Sequence, residues 1–263
     1  MTSNGIRFTR AITCPPAATF ADGLTMSGLG LPDHALAREQ HSAYCRALEK
    51  CGVKLTSLPA DPAHPDSTFV EDTAVVTRHG AMITRPGAAS RQGEVEAMRR
   101  ALTKQFGEVA TIEPPGTLDG GDVCQAGDHF FVGISNRTNA SGAEQLAAWL
   151  APHGYLVSTI DIRGEGGLLH LKSGMGYLGD KHIVAVSSIA ADPSLVDFTV
   201  LVVPEDELYG ANCIRVNDTV LMPSGAPGLA ARIKAMGHKV VTLEMSEFRK
   251  MDGGPSCLSV RVP

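Results

Sequence analysis

The residues best able to do chemistry are a cysteine, a histidine and several carboxylates in separate stretches of the chain. Cys257 lies in MDGGPSCLSV, and His170 lies in LLHLKSGMG. The carboxylates lie at the starts of β-rich stretches and are Asp66, Glu71, Asp72, Asp119 and Asp122. Singly, each has a structural explanation, because cysteine is often buried as a small hydrophobe and aspartate often stabilises turns. Their recurrence at similar points favours one shared pocket.

A pocket with several carboxylates, one thiol and one imidazole suits a cation that sulfur attacks. Carboxylates accept hydrogen bonds and pair bidentately with a planar guanidinium. A thiolate is a strong nucleophile, and histidine carries protons near neutral pH. Arg91 and Arg137 follow the first two β-rich stretches and would suit a carboxylate if they reach the rim. The residues alone therefore predict thiol-dependent attack on a guanidinium.

Four stretches share the order of a short β-rich run, a turn and a second β-rich run. The turns are predicted near His79-Gly80, Gly127-Asp128, Asp180-Lys181 and Asn217-Asp218. Gly, Asn and Asp suit tight hairpins because the favoured turn types need positive φ. We therefore predict four β-hairpins, with the candidate acidic residues near their starts.

Helical patterns separate these hairpins. They are DHALAREQHSAYCRALEKCG, GEVEAMRRALTKQFG, SGAEQLAAWLAPHG and GLAARIKAMGH, and each ends near a glycine. In the first, the residues at helical spacing are Ala35, Leu36, Tyr44, Leu48 and Cys51. A β-rich run follows each helix, namely VKLTSLP, VATIEPP, YLVSTIDI and KVVTLEM.

The repeating unit is therefore helix, strand and hairpin, recurring about every 40–55 residues, a period typical of repeat architectures. A doubly wound Rossmann sheet is the alternative, but it does not explain the hairpins. Its phosphate-binding fingerprint is also absent, since GLGLPD has no third glycine. A ring of about five units, like a small propeller, fits better and would bring the hairpin starts to one axis.

Composition excludes several classes of protein. The chain has 263 residues, a net charge of −5 and 43% hydrophobic residues, which argues against nucleic-acid and membrane partners. Because the N-terminal stretch lacks an apolar signal region, we expect a cytoplasmic protein with reduced cysteines. His41 and Cys45 lie one helical turn apart, but without a second ligand pair we predict no metal.

Several stretches resemble those of the dimethylarginine dimethylaminohydrolases, which belong to the guanidino-group-modifying, or pentein, superfamily. The matching stretches are DGLTMSGLGLPDHALAREQH, LPADPAHPDSTFVEDTAVV, ITRPGAASR, LDGGDV, NRTNASGAEQL, LLHLKSGM, ANCIRVNDTVLMP and MDGGPSC. They run from about residue 20 to the end in the family's order. The resemblance implies a five-bladed α/β propeller formed by one domain, residues 1–263.

The resemblance also implies roles for particular residues. Cys257 would be the nucleophile, His170 the general acid and base, and Asp119 the acidic residue near that histidine. The remaining implied positions contact substrate. Glu71 and Asp72 would hold the guanidinium, and Asp66 and the backbone of Leu24 would hold the amino-acid end, with Arg91 and Arg137 on its carboxylate. The backbone of Met251 would be a further substrate contact.

The implied reaction is hydrolysis of N-methylated arginines to citrulline and a methylated amine. It would pass through a thiouronium bound to the cysteine and need no cofactor. An arginine deiminase, which releases ammonia, remains an alternative, as does a cationic amino-acid binding protein without activity. A non-enzymatic zinc protein is the third alternative. The expected partner is a small guanidino compound, with a homodimer possible.

Overall fold

The computed structural model describes residues 6–164 and 167–263. Residues 1–5, part of the stretch used to predict that no signal peptide is present, lie outside it, as do residues 165 and 166 of the loop before His170. The strands are β1 (Arg10–Thr13), β2 (Lys54–Ser57), β3 (Ala74–Thr77), β4 (Gly80–Ile83), β5 (Ala110–Thr111), β6 (Val123–Ala126), β7 (His129–Ile134), β8 (Leu156–Asp161), β9 (Met175–Gly179), β10 (His182–Ala185), β11 (Thr199–Val202), β12 (Ile214–Val216), β13 (Thr219–Pro223), β14 (Lys239–Leu243) and β15 (Val260–Val262). The helices are α1 (His34–Lys50), α2 (Val95–Phe106), α3 (Ala140–Leu150), α4 (Ser187–Ala190), α5 (Pro227–Ala235) and α6 (Ser246–Arg249).

These strands form five three-stranded sheets with one repeated topology. The sheets are β3-β4-β5, β6-β7-β8, β9-β10-β11, β12-β13-β14 and β15-β1-β2. In each, the first two strands are antiparallel, and the third pairs in parallel with the second. Three pairs of neighbouring first strands contact one another, namely β15 and β3, β6 and β9, and β9 and β12, and the turns before β3 and β6 also meet. The first strands therefore surround a common axis. The prediction of a five-bladed α/β propeller is confirmed.

The fifth blade joins the two ends of the described chain. Strand β15 is antiparallel to β1, with Arg10 opposite Val262 and Ile12 opposite Val260. Strand β1 is in turn parallel to β2. The segment before β15 therefore occupies the same place on the axis as the segments before the four sequential hairpins, and Cys257 lies in it.

The predicted hairpins are all present. The turn of the third consists of Asp180 and Lys181 at φ 49° and 61°, the left-handed conformation that its turn type requires. The first turn is one residue earlier than predicted, at Arg78 and His79, because Gly80 already begins β4. The sequence missed β11, since the third blade connects through the single-turn α4 rather than through a long amphipathic helix.

The predicted buried face of α1 was partly wrong. Ala35 and Leu36 are exposed, and Cys51 follows the end of the helix. The residues of α1 that are buried are Ala37, Gln40, His41, Tyr44, Ala47 and Leu48. The buried face differs from the predicted one because polar side chains on it have hydrogen-bond partners. Gln40 donates to Ser246 Oγ at 2.8 Å, and Tyr44 Oη lies 2.7 Å from Ser259 Oγ.

The apolar core lies between adjacent sheets and beneath the helices. Its largest cluster includes Phe131, Leu178 and Ile183, all fully buried and drawn from two neighbouring blades. No helix within residues 6–164 and 167–263 combines the length and the hydrophobicity that crossing a membrane requires.

Replacing Leu178 with alanine tests the contribution of this core. The side chain is fully buried, so its truncation should lower the free energy of unfolding by about 2–5 kcal/mol. Leu156→Ala is the matched control, since Leu156 is 65% exposed and should change stability by only about 0.5 kcal/mol. Urea denaturation of both variants measures the difference, and equal effects would contradict the packing described here.

Candidate active site

Short turns just before the first strands bring polar residues to the axis. The 3₁₀ turn Val70–Thr73 precedes β3, Gly120–Asp122 precedes β6, and Leu171–Ser173 precedes β9. These turns carry or adjoin four of the predicted residues, Glu71, Asp72, Asp119 and His170. The repeated topology therefore gathers residues that are far apart in sequence.

The two glycines of LDGGD allow these turns to approach closely. A side chain at Gly120 would collide with the backbone oxygen of Glu71, and one at Gly121 would lie 2.7 Å from Asp72 Oδ1. Without a side chain, the Gly121 backbone N–H donates to Asp72 Oδ1 at 2.9 Å. The motif therefore fixes the Asp72 carboxylate against the second blade.

His170 lies between carboxylates and is buried. Its Nε2 is 3.0 Å from Asp119 Oδ2, and its Nδ1 is 3.9 Å from Asp72 Oδ1. Burial alone would lower the pKa of this imidazole, but Asp72, Asp122 and Asp119 raise it to about 9. The ring is therefore a protonated imidazolium near neutral pH and can donate a proton.

Asp122 has a structural role, which corrects the prediction that all the hairpin-start acids converge on the pocket. Its Oδ2 accepts hydrogen bonds from Ser135 Oγ and Thr138 Oγ1, each at 2.7 Å. Its Oδ1 accepts from the backbone N–H of Leu171 at 2.9 Å. Burial raises the pKa of Asp122 to about 6. The carboxyl group thereby holds the segment that carries His170.

Asp72 forms a buried ion pair with Arg91. Arg91 Nη1 is 2.6 Å from Asp72 Oδ2, and Arg91 Nη2 is 2.8 Å from Glu94 Oε2. Burial would raise the pKa of Asp72, but His170 and Arg91 lower it to about 2. Asp72 is therefore ionised. Most of the Arg91 donors are occupied by this chain, including one that reaches the Phe69 carbonyl at 3.2 Å.

Glu71 has one occupied and one unoccupied oxygen. Its Oε1 accepts from Lys172 Nζ at 2.7 Å and from Arg261 Nη2 at 2.9 Å. Its Oε2 is buried and has no hydrogen-bond partner among the described residues. Because a buried carboxylate oxygen without a donor is costly, this atom is suited to a donor from a bound ligand.

Cys257 is buried beside these acids. Burial raises the pKa of its thiol to about 11, and the nearby Glu71 and Asp72 carboxylates add to the rise. The polar atoms near the sulfur include Ser256 Oγ at 3.6 Å and Asn212 Nδ2 at 3.8 Å. Without substrate, the group is therefore a thiol at neutral pH.

A small cavity of about 20 Å³ connects most of these groups. Its lining contains eight of the ten predicted residues: Leu24, Asp66, Asp72, Arg91, Arg137, His170, Met251 and Cys257. Asp119 lies behind the imidazole, and Glu71 lines a larger axial cavity of about 140 Å³. Most of the predicted residues therefore meet at the smaller cavity.

Sequence reasoning missed four residues of this lining. They are Phe69, Leu169, Asp252 and Gly253. Phe69 and Leu169 carry no chemical signal in the sequence, since each reads as an ordinary core residue. Asp252 could have been noticed, because it precedes two glycines in MDGGPSC and adopts a left-handed φ of 57°.

The far end of the cavity has groups suited to an amino acid's ammonium and carboxylate. Both Asp66 oxygens lie 3.1 Å from the Leu24 backbone nitrogen, and burial raises the pKa of Asp66. Arg137 Nη1 is buried and has no hydrogen-bond partner within the described ranges. A carboxyl group and a guanidinium with an unpartnered nitrogen, both in the lining of this cavity, suit a zwitterion.

Potential metal ligands come together at two places in the described residues. One ligand atom from each of Asp72, Asp119 and His170 lies within 4.8 Å of the others. However, Asp72 is paired with Arg91, and Asp119 Oδ1 accepts from the Gly87 backbone at 2.8 Å, so hydrogen bonds already explain this cluster.

The second place is the predicted pair in α1. His41 Nδ1 lies 3.7 Å from Cys45 Sγ, so these two residues do meet. Burial lowers the pKa of His41 to about 4. Among the residues that the structure describes, they join no group of three potential ligands, which leaves the zinc alternative without a complete ligand set.

Comparisons with known proteins agree with this geometry. A protein-family model described as arginine deiminase matches residues 34–215. The chain is 46% identical to N(G),N(G)-dimethylarginine dimethylaminohydrolase of Pseudomonas aeruginosa, over 97% of this chain and 99% of that protein. It is 39% identical to the protein of the same name from Streptomyces coelicolor, over 96% of each.

A solved structure provides a third comparison. It is a cysteine-to-serine variant of the Pseudomonas aeruginosa enzyme in complex with citrulline, with a TM-score of 0.94 and 45% identity. The match covers 97% of this chain and all of that chain. The resemblance found in the sequence stretches is therefore confirmed over nearly the whole length.

The pH dependence of Cys257 alkylation tests the electrostatics of the site. With no substrate present, the rate should rise with pH towards the thiol pKa of about 11. Glu71→Gln removes one of the charges that raise this pKa, so its profile should shift to lower pH. Iodoacetamide labelling, followed by mass spectrometry of the Cys257 peptide, measures the shift.

The exposed Glu205→Gln is the control for this experiment, since it removes a carboxylate far from the cavity lining. It should leave the alkylation profile unchanged. A shift of the Glu71→Gln profile to higher pH would show that the carboxylate does not act on the sulfur as described.

Proposed function

The chain belongs to the arginine deiminase family and, within it, to the dimethylarginine dimethylaminohydrolases, and from this premise we propose that it hydrolyses asymmetric dimethylarginine and monomethylarginine. The products are citrulline and dimethylamine or methylamine. The observation that carries the proposal is the lining of one cavity by a cysteine thiol, an imidazolium and ionised Asp72, beside the unpartnered Glu71 oxygen. Such a set can bind a guanidinium and attack its carbon.

Substrate binding uses both ends of the cavity. Glu71 Oε2 and Asp72 accept hydrogen bonds from the guanidinium, which holds its planar carbon in front of the sulfur. At the other end, Arg137 binds the carboxylate of the substrate, assisted by Arg91. Asp66 receives the ammonium group, and the backbones of Leu24 and Met251 complete the contacts.

The first chemical step forms a bond between sulfur and carbon. The bound guanidinium places a positive charge near Cys257 and thereby lowers the pKa of the thiol, opposing the carboxylates that raise it. The thiol gives its proton to solvent water, and the resulting thiolate attacks the guanidinium carbon. His170, protonated because its pKa is about 9, donates its proton to the departing nitrogen. The carbon–nitrogen bond breaks, and a thiouronium remains on Cys257.

The second step uses the same histidine as a base. His170 is now neutral and accepts a proton from water, whose oxygen attacks the thiouronium carbon. The carbon–sulfur bond breaks, the electron pair returns to Cys257, and the carbon keeps the oxygen as the ureido group of citrulline. Asp119 supports both steps, since its hydrogen bond to Nε2 fixes the ring and favours its charged form. Side chains and water supply every proton, so we propose no cofactor.

Arginine deiminase activity is the second candidate, because the matching family model carries that description. Its reaction would use the same cysteine and histidine and would release ammonia. A binding protein without activity is disfavoured, since holding a cationic amino acid needs neither a thiol nor an imidazolium. The two hydrolases differ in what they accept at the leaving nitrogen.

Substrate preference separates these candidates. Asymmetric dimethylarginine should have a higher kcat/KM than arginine, by roughly tenfold, since each buried methyl group contributes about 0.8 kcal/mol. Citrulline formation from both compounds on one preparation measures the ratio. A ratio favouring arginine would place the chain with the deiminases.

Two cysteine variants control the substrate assay. Cys257→Ser should abolish turnover, because an alcohol does not supply a thiolate at these pH values. The control is Cys45→Ser, which alters a half-buried cysteine outside the cavity and should keep activity. Near-native turnover by Cys257→Ser would exclude the covalent route.

His170→Ala tests the assignment of proton transfer to the imidazole. This variant should lose at least about a hundredfold in kcat, the usual contribution of a positioned acid or base. Its Cys257 should still react slowly with iodoacetamide, since alkylation needs no leaving-group proton. An unchanged kcat and an unchanged pH–rate profile would contradict the assignment.

A further inference from the structure

We propose that Asn212 is a further catalytic residue, whose side-chain amide donates a hydrogen bond to Cys257 Sγ and stabilises the thiolate that attacks the substrate. The proposal deepens the proposed function, since it rests on Cys257 as the nucleophile. The Asn212 Nδ2 atom lies 3.8 Å from the sulfur, within the range of hydrogen bonds to this large atom. Such contacts are often long before substrate binds and tighten as charge develops.

The position of Asn212 follows the repeat of the fold. Asn212 lies just before β12, the first strand of the fourth blade, as Asp72 lies just before β3 and Cys257 before β15. It is 3% exposed. The fourth blade therefore brings a neutral donor to the axis, where the other four blades bring carboxylates, the imidazole and the thiol.

The orientation of the Asn212 amide is fixed by its neighbours. Its Oδ1 accepts a hydrogen bond from the Ser256 backbone N–H at 3.0 Å. Because a backbone N–H is only a donor, it selects the oxygen of the amide and leaves the NH₂ group facing the sulfur. The amide can therefore donate to Cys257 but does not accept from it.

The backbone before Cys257 packs closely against the Asn212 amide. A side chain at Gly254 would lie 2.5 Å from Asn212 Cγ, so only glycine lets the loop pass so closely. The Cys257 backbone N–H in turn donates to the Gly254 carbonyl at 3.1 Å. The loop from Gly254 to Cys257 thus folds around the Asn212 side chain.

The surroundings of the sulfur show why a neutral donor matters there. The titratable groups around it are Glu71 and Asp72, which disfavour a thiolate, Tyr209, which is half-buried and un-ionised, and His170 across the cavity. Hydrogen bonds to an ionised acceptor are stronger than those to a neutral one, so the amide favours the thiolate over the thiol. It does so without repelling the cationic substrate.

Asn212→Asp tests the proposal while keeping the shape of the side chain. The carboxylate can still accept from the Ser256 N–H but presents an oxygen instead of an NH₂ group to the sulfur. In substrate-free protein, the iodoacetamide labelling rate of Cys257 at fixed pH should fall about tenfold, equivalent to one pKa unit. The kcat should fall at least as much, and KM should stay within about threefold of wild type, because Asn212 does not line the substrate cavity.

The control is Asn139→Asp, a change of the same kind at a cap far from the sulfur. Asn139 Oδ1 accepts from the Gly142 backbone at 2.8 Å, and its NH₂ group donates to the Pro115 carbonyl, so the substitution also exchanges a donor for an acceptor. It should leave labelling and kcat unchanged. If Asn212→Asp does not fold, Asn212→Ala replaces it, since this variant removes the donor without adding charge. It should also slow the labelling of Cys257.

An unchanged labelling profile in a folded Asn212 variant would overturn the proposal, even if its activity fell. Labelling needs no turnover, so the two proposals fail separately. If the Asn212 variants are labelled more slowly but the wild type forms no citrulline from any arginine, the proposed function is wrong and Asn212 remains a hydrogen-bond donor to the thiolate. If the Asn212 variants are labelled at the normal rate and the wild type turns over methylated arginines, the proposed function stands and the role of Asn212 is wrong.

Discussion

The buried ion pair between Asp72 and Arg91 is the contact on which the site depends. At 2.6 Å, it joins the turn before β3 to the segment before α2. Asp72 also accepts from Gly121 and faces His170, so one carboxylate positions parts of three blades. Loss of one member of a buried pair leaves an uncompensated charge, which costs far more than the pair itself contributes. The pair therefore acts mainly to position the segments of the chain that surround Asp72.

The charges around this pair suit a cationic ligand. Arg91 is largely occupied by Asp72 and Glu94, and Lys172 and Arg261 share one oxygen of Glu71. The second Glu71 oxygen is left for a ligand. A guanidinium can donate to it and pair with ionised Asp72, whereas a neutral urea such as the product offers donors without a positive charge. Binding is therefore stronger before the reaction than after it, which favours product release.

The sequence predicts those parts of the structure that are determined by residues close together in the chain. Turn residues such as Asp180 and Lys181 determine their hairpins within a few positions, and the recurrence of acids before strands predicts the axis. The partners of each acid could not be predicted in the same way. Arg261 reaches Glu71 across 190 residues, a contact that exists only once the chain ends meet in the fifth blade. Asp122 reads like Asp72 in sequence, yet its three donors make it a structural support.

The protonation states of the substrate-free site link its structure to the reactivity of the Cys257 thiol. Burial and two carboxylates hold Cys257 as a thiol, while three carboxylates hold His170 as an imidazolium. For the proposed nucleophile this is the unreactive state, and for the proposed acid it is the state that can donate a proton. A guanidinium changes the first, because its charge offsets the Glu71 and Asp72 carboxylates beside the sulfur, while Asp119 and Asp122 still favour the imidazolium. The substrate therefore completes the electrostatics of the nucleophile, and an electrophile without a positive charge meets a thiol of low reactivity.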